Sequence, residues 1–106
     1  MGHLQIGDSA RPIEFDDRLL AHLRVVIFSK FRRHESFPFS WDHGLEKGSG
    51  RSSVWLTESI PIRFVFSGGK PPALNRTWLE DLLAASSTAA GLQITKEPEE
   101  RAPNPG

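Results

Sequence analysis

The stretch IPIRFVFSGGKPPALNRTWLEDLL, residues Ile60 to Leu83, decides the fold. Ile60, Ile62, Phe64 and Phe66 recur at every second position, which predicts a strand with one apolar face. Pro61 lacks an N–H and belongs at a strand start or on an edge. Ser67-Gly68-Gly69-Lys70-Pro71-Pro72 then reads as a loop that glycine lets turn and proline stiffens. After it, Asn75 or Thr77 can cap a helix, and Thr77 with Glu80 has capping-box spacing. Trp78, Leu79, Leu82, Leu83 and Ser86 form the inner stripe of that helix, and Gly91 is placed to end it.

Working back towards the N-terminus, Phe37, Phe39 and Trp41 alternate with Pro38, Ser40 and Asp42, and Val54 alternates with Leu56. Two strands follow, joined by the glycine-rich loop 42–50, with Glu58-Ser59 as a tight turn into the next. Asp16 and Asp17 suit the N-cap and first turn of a helix over 16–33. Its core positions are Leu19, Leu20, Leu23, Val26, Ile27 and Phe31. Lys30, Arg32 and Arg33 fall in its last turn, and Arg18, His22, Ser29 and Arg33 on its polar side. Leu4 with Ile6, and Ile13 with Phe15, predict an opening β-hairpin, and Leu92–Thr95 a short last strand. Three consecutive strands imply an antiparallel meander. The order β-β-α-β-β-β-α-β predicts an α+β two-layer sandwich, with two helices on one face of a mostly antiparallel sheet. It occupies residues 1–96, followed by a disordered tail over 97–106.

The chain has 106 residues, enough for a single core. It has no cysteine, which excludes disulfides, thiol nucleophiles and cysteine zinc sites. The longest apolar run, Val25–Phe28, is too short to span a bilayer, and no signal-peptide pattern opens the chain, so the expected compartment is the cytoplasm. Net charge is zero but unevenly spread. Residues 1–17 carry −3, residues 18–76 carry ten Lys/Arg against four acidic residues, and residues 77–106 carry −3. A basic centre can meet a polyanion, and it can equally be solvated surface.

Two places can carry chemistry. The loop Gly68-Gly69-Lys70 runs into a helix with Arg76 near its start. Glycine N–H groups, a helix N-terminus and two cations together can hold a phosphate or a carboxylate. It is not a Walker A loop, because Lys70 is followed by Pro71. The outward sheet face is the second place. Trp55, Arg63 and Val65 point there, and a tryptophan beside an arginine can stack bases or anchor a partner protein. The plainer reading packs Trp55 beneath the hairpin or the tail. His3, His22, His34 and His43 lack metal-ligand spacing. Glu14, Asp16 and Asp17 cluster, but helix capping accounts for the aspartates.

The assembled motifs resemble a family of small bacterial proteins of unknown function. The matching residues are Phe15-Asp16-Asp17-Arg18 with Leu20-Ala21-His22-Leu23, Arg32-Arg33 with Glu35-Ser36-Phe37, and Phe39-Ser40-Trp41. Gly50-Arg51 with Trp55-Leu56 and Ser59-Ile60-Pro61 also match, as do Gly68–Pro72, Asn75-Arg76, Trp78 and Glu80. The resemblance covers residues 1–97. Such proteins often carry the automatic label ATP-dependent DNA ligase, which implies a lysine that takes AMP within Lys-x-Asp-Gly. The nearest string here is Lys47-Gly48-Ser49-Gly50, which lacks the aspartate.

Three functions follow as expectations. The first is a non-catalytic module for nucleic acid or a phosphate-bearing ligand. It would use Gly68, Gly69, Lys70 and Arg76, with Arg32, Arg33, Arg51, Trp55 and Arg63 as a wider surface. The second is a protein-interaction or homodimerisation module using the Trp55 face or an edge strand. The third is a ligase-related protein, with Lys47 or Lys70 accepting AMP. No cofactor, metal or membrane partner is implied, and the chain is expected as monomer or homodimer.

Overall fold

The computed structural model describes residues 1–8, 11–43 and 50–100. The greater part of the loop 42–50, including Lys47, and the residues from 101 onwards lie outside the described residues. The chain is α+β, with two helices and six strands: β1 (Gly2–Ile6), β2 (Ile13–Phe15), α1 (Asp17–Arg32), β3 (Phe37–Asp42), β4 (Arg51–Leu56), β5 (Ile62–Val65), α2 (Arg76–Ser86) and β6 (Leu92–Gln93).

The strands form two small sheets, not one meander. The first runs β2-β1-β5 and the second β4-β3-β6. β4 and β5 are consecutive but do not pair. A turn closed by the Ile60 N–H donating to the Thr57 carbonyl redirects the chain between them. β5 instead lies antiparallel to β1, where Phe64 faces Leu4 and Ile62 faces Ile6. Cross-strand apolar pairs of this kind select the partner. β3 and β4 pair antiparallel over their full length, and β6 adds to β3 in parallel.

α1 joins the two halves. Phe28 meets Phe64 of the first sheet edge to face, and Phe31 packs against Phe37 of the second. Leu20, Leu23, Val26 and Ile27 are buried with Leu4, Phe39, Leu56, Trp78, Leu82 and Leu92 in one core. Full burial of each such aliphatic or aromatic side chain is worth about 1.5–3 kcal/mol.

Both ends of α1 are specified locally. The Asp16 carboxylate accepts from the Arg18 N–H as N-cap. At the other end His34 adopts φ +58°, and the His34 and Glu35 N–H groups reach back to the Phe31 and Lys30 carbonyls. That is a Schellman closure built on a histidine instead of a glycine.

Three residues depart from the sequence reading. His22, expected on the polar side of α1, is fully buried. Lys30 is only 4% exposed. Its ammonium lies 3.2 Å from Ser87 Oγ, 3.4 Å from Glu35 Oε1 and over the Phe37 ring. Gly91 does not terminate α2, which ends at Ser86 with Ser87 as its cap. Gly91 sits at φ +77°, and a Cβ there would stand 2.3 Å from the Pro38 carbonyl oxygen. Only glycine combines that dihedral with so close an approach of β3.

Candidate functional site

Asp17 follows the capping Asp16 but does not cap. Its carboxylate crosses to the Gly68-Gly69 loop and accepts from the Ser67 N–H at 3.2 Å, the Ser67 hydroxyl at 3.2 Å and the Gly68 N–H at 2.9 Å. The loop amides that looked free for an external anion are therefore partly engaged by the chain's own carboxylate. The Gly68 and then the Ser67 N–H hold the Asp17 carboxyl below its ordinary range.

With the loop pinned there, a cleft of about 400 Å³ opens between it and α1. Asp17, Ala21, Arg24 and Val25 line one wall, spaced so that they share a stripe of the helix. Phe66, Pro71, Pro72 and Leu74 supply apolar surface opposite, with Gly68, Gly69 and Lys70. Arg24 and Lys70 are both exposed. Among the described residues neither has a carboxylate within ion-pair distance. An apolar surface with a few polar groups is the usual form of a small-molecule site.

Arg76 does not join this cleft. It lies in the first turn of α2, with its guanidinium 3.8 Å from Glu80 and its N–H 3.4 Å from Glu100. The N-terminus of α2 is closed by its own cap, Asn75, whose Oδ1 accepts from the Trp78 N–H.

Asn75 is also the hub of a second polar cluster. His22 Nδ1 lies 2.6 Å from the Arg18 carbonyl, and His22 Nε2 lies 2.8 Å from the Asn75 N–H. A carbonyl can only accept and an amide N–H can only donate, so Nδ1 carries the proton and Nε2 is bare. The ring packs on Trp78 with centroids 4.6 Å apart. Arg18 grips Glu97 through Nε and Nη2, each at 2.7 Å, and donates from Nη1 to the Ala73 carbonyl. Asn75 Nδ2 donates to Glu97 and to the Pro98 carbonyl. Arg18 first, and Asn75 second, push the Glu97 carboxyl down to about 2, and the same bond raises Arg18. Ordered contacts thus run past residue 96 into Glu97 and Pro98.

The wider surface set divides. Arg51 and Trp55 share the outer face of β4, and Trp55 is 61% exposed. Arg63 is on the other sheet, opposite Gln5. Arg32 and Arg33 are exposed at the end of α1, and Arg33 lies 3.6 Å from Glu35. Gly68, Gly69 and Lys70 come together; the other candidates do not converge on them.

Arg24 and the Arg18–Glu97 pair did not emerge from the sequence as site residues, and Asp17 did so only within the acidic cluster with Glu14 and Asp16. The spacing of Asp17, Ala21, Arg24 and Val25 holds the signal for the cleft wall, because it marks a second, half-apolar stripe beside the core stripe of α1. Among the described residues no three His, Asp or Glu side chains are grouped so as to hold a metal ion, and no helix is long and apolar enough to cross a membrane.

The geometry defines a small α+β module with an apolar-floored cleft rimmed by cations. Residues 1–97 match the model of a family described as a domain of unknown function, DUF7882, and the chain belongs to that family. No curated protein and no solved structure matches it.

Proposed function

We propose that the chain is a non-catalytic binding module for a small ligand that joins a phosphate or carboxylate to an apolar body. The observation that carries this reading is the cleft itself, with apolar walls and two exposed cations at its rim, Lys70 and Arg24, the latter lying over the Phe28 ring 5.0 Å from its centroid. The Asp17 charge at its end is already satisfied by three donors and repels an incoming anion less than a bare carboxylate would. Gly69 adds a stretch of backbone without a side chain, where a ligand can approach closely.

A nucleic acid fits this arrangement less well than a small anion. Polyanion binding needs cations along one track, whereas Arg32 and Arg33 close α1, Arg51 lies on β4 and Arg63 on β5 of the other sheet.

The test is an amide chemical-shift titration with phenyl phosphate and phenylacetate, with benzyl alcohol as the uncharged control. Both anions should shift Arg24, Val25, Gly68, Gly69 and Lys70, and the effect should weaken with added salt. Lys70→Ala and Arg24→Ala should each weaken binding by about tenfold. The reading fails if benzyl alcohol binds as well as the anions, or if the shifts are unchanged in both variants. A single-stranded oligonucleotide that shifts Arg51 and Trp55, while the small anions leave the cleft silent, would transfer the function to β4.

A further inference from the structure

We propose that β4 pairs antiparallel with β4 of a second copy of this chain, joining two three-stranded sheets into one six-stranded sheet. β4 lies at the edge of its sheet, and its six residues make it longer than any other edge strand among the described residues.

The backbone shows which groups the edge offers. The His43 N–H donates to the Gly50 carbonyl at 2.8 Å, in the same register that pairs Asp42 with Arg51. His43 and Gly50 are therefore a hydrogen-bonded pair. Such pairs alternate along an antiparallel ladder. Trp41 with Ser52, Phe39 with Val54 and Phe37 with Leu56 are then hydrogen-bonded too. Asp42 with Arg51, Ser40 with Ser53 and Pro38 with Trp55 are not. Pro38, which has no N–H, falls in this second set, as its chemistry requires. The main-chain N–H and C=O of Arg51, Ser53 and Trp55 consequently point away from β3, to the open edge. All three residues are exposed.

A row of unpaired groups is a template for another strand, and proteins usually blunt it with charged side chains, above all lysine, with proline or with a bulge. β4 has no proline, lysine or bulge, and its single charge, Arg51, stands at its first residue. It carries instead Trp55, exposed on the same face as Arg51 and Ser53.

The sequence of that edge is self-complementary. Two outward-facing residues form a hydrogen-bonded pair only in registers that match odd positions with odd positions. Centring the pair on Ser53 sets Ser53 against its own copy and Arg51 against Trp55, twice. Registers shifted by two leave either Arg51 or Trp55 without a counterpart from this trio. In the centred register each guanidinium meets an indole face, a favourable cation–π contact. Two rows then cross the sheet, each reading Pro38, Trp55, Arg51, Asp42, the first two residues from one copy and the last two from the other. The Ser40 and Ser53 hydroxyls, already 2.6 Å apart within one chain, line the centre. The symmetry is a closed twofold, so assembly stops at two copies.

The full chain should show a mass that rises from one to two copies with concentration in sedimentation equilibrium. Trp55→Arg sets arginine against arginine and should weaken the dimer by more than about tenfold. The double exchange Arg51→Trp with Trp55→Arg restores the pairing in reverse and should recover the wild-type constant within severalfold. Ser53→Pro removes an outward N–H without touching the β3 ladder and should leave a folded monomer, checked by circular dichroism. Should that variant not fold, the arginine exchange alone decides. Lys70→Ala, in the cleft, should leave the mass unchanged. A single-copy mass up to roughly millimolar concentration overturns the proposal. So does a dimer that survives Trp55→Arg, or one that the double exchange fails to rescue.

Discussion

Asp17 and Glu97 are both carboxylates held by the chain's own donors, yet their surroundings differ. Glu97 meets a bidentate guanidinium and a buried amide, and the cluster around it is closed by His22, Trp78 and the cap of α2. Asp17 meets two backbone N–H groups and a hydroxyl on an exposed loop, and a cleft remains beside it. The first arrangement spends its cation internally. The second fixes a loop with neutral donors and leaves Arg24 and Lys70 without a carboxylate partner among the described residues. A satisfied ion pair is a joint; a pinned loop beside cations without a carboxylate partner is where we propose that a ligand sits.

The largest effect is expected at His22. His22→Ala removes a buried ring, the acceptor of the Asn75 N–H and the stacking partner of Trp78. It should cost about 3 kcal/mol in urea unfolding, while leaving the loop around Asp17 in place. Next is Glu97→Gln, which keeps the shape but loses the charge. It should lower the melting temperature at pH 7. The sign with pH is fixed by the carboxyl's descent from its ordinary 4.5 to about 2. Because the folded value lies below the unfolded one, the Glu97 contribution is complete above about pH 4.5 and is lost as pH falls towards 2. The variant should therefore show a shallower loss of stability across that window. Asp17→Asn should do least to stability, since an amide oxygen can still accept one of the bonds. Its effect should instead appear as faster amide exchange at Ser67 and Gly68, with the Glu97 cluster unaltered.

Much of the scaffold could be read in the residues because it depends on local chemistry. Asp16 caps α1, the alternation of Phe37, Phe39 and Trp41 marks β3, and Trp78, Leu82 and Ser86 are buried on α2. What could not be read depends on distant partners. Alternation assigns Phe64 to a face but does not choose between β4 and β1 as its neighbour. His22 lies on an arc with Arg18 and Ser29, and only the approach of Asn75 and Trp78 buries it. Lys30 resembles a last-turn cation until Phe37 and Ser87 enclose its stem. Glu97 opens a proline-rich acidic run, and nothing in its neighbourhood in sequence points to Arg18. The cleft was half legible. Gly68, Gly69 and Lys70 stood out as a loop, whereas the occupant of the Gly68 amide came from the residue beside a helix cap.

The clasp between Arg18 and Glu97 joins positions 79 apart, and the bond from Asn75 to His22 spans 53. Closing such loops costs entropy that only long-range contacts repay. The hairpin of β3 and β4 and the turns of α1 need no such wait. During synthesis, therefore, α1 and the hairpin can form while the cap of α2 still lacks its outer partners. Glu97 is the last of these partners to be synthesised, so a nascent chain stays unlatched until that residue has emerged.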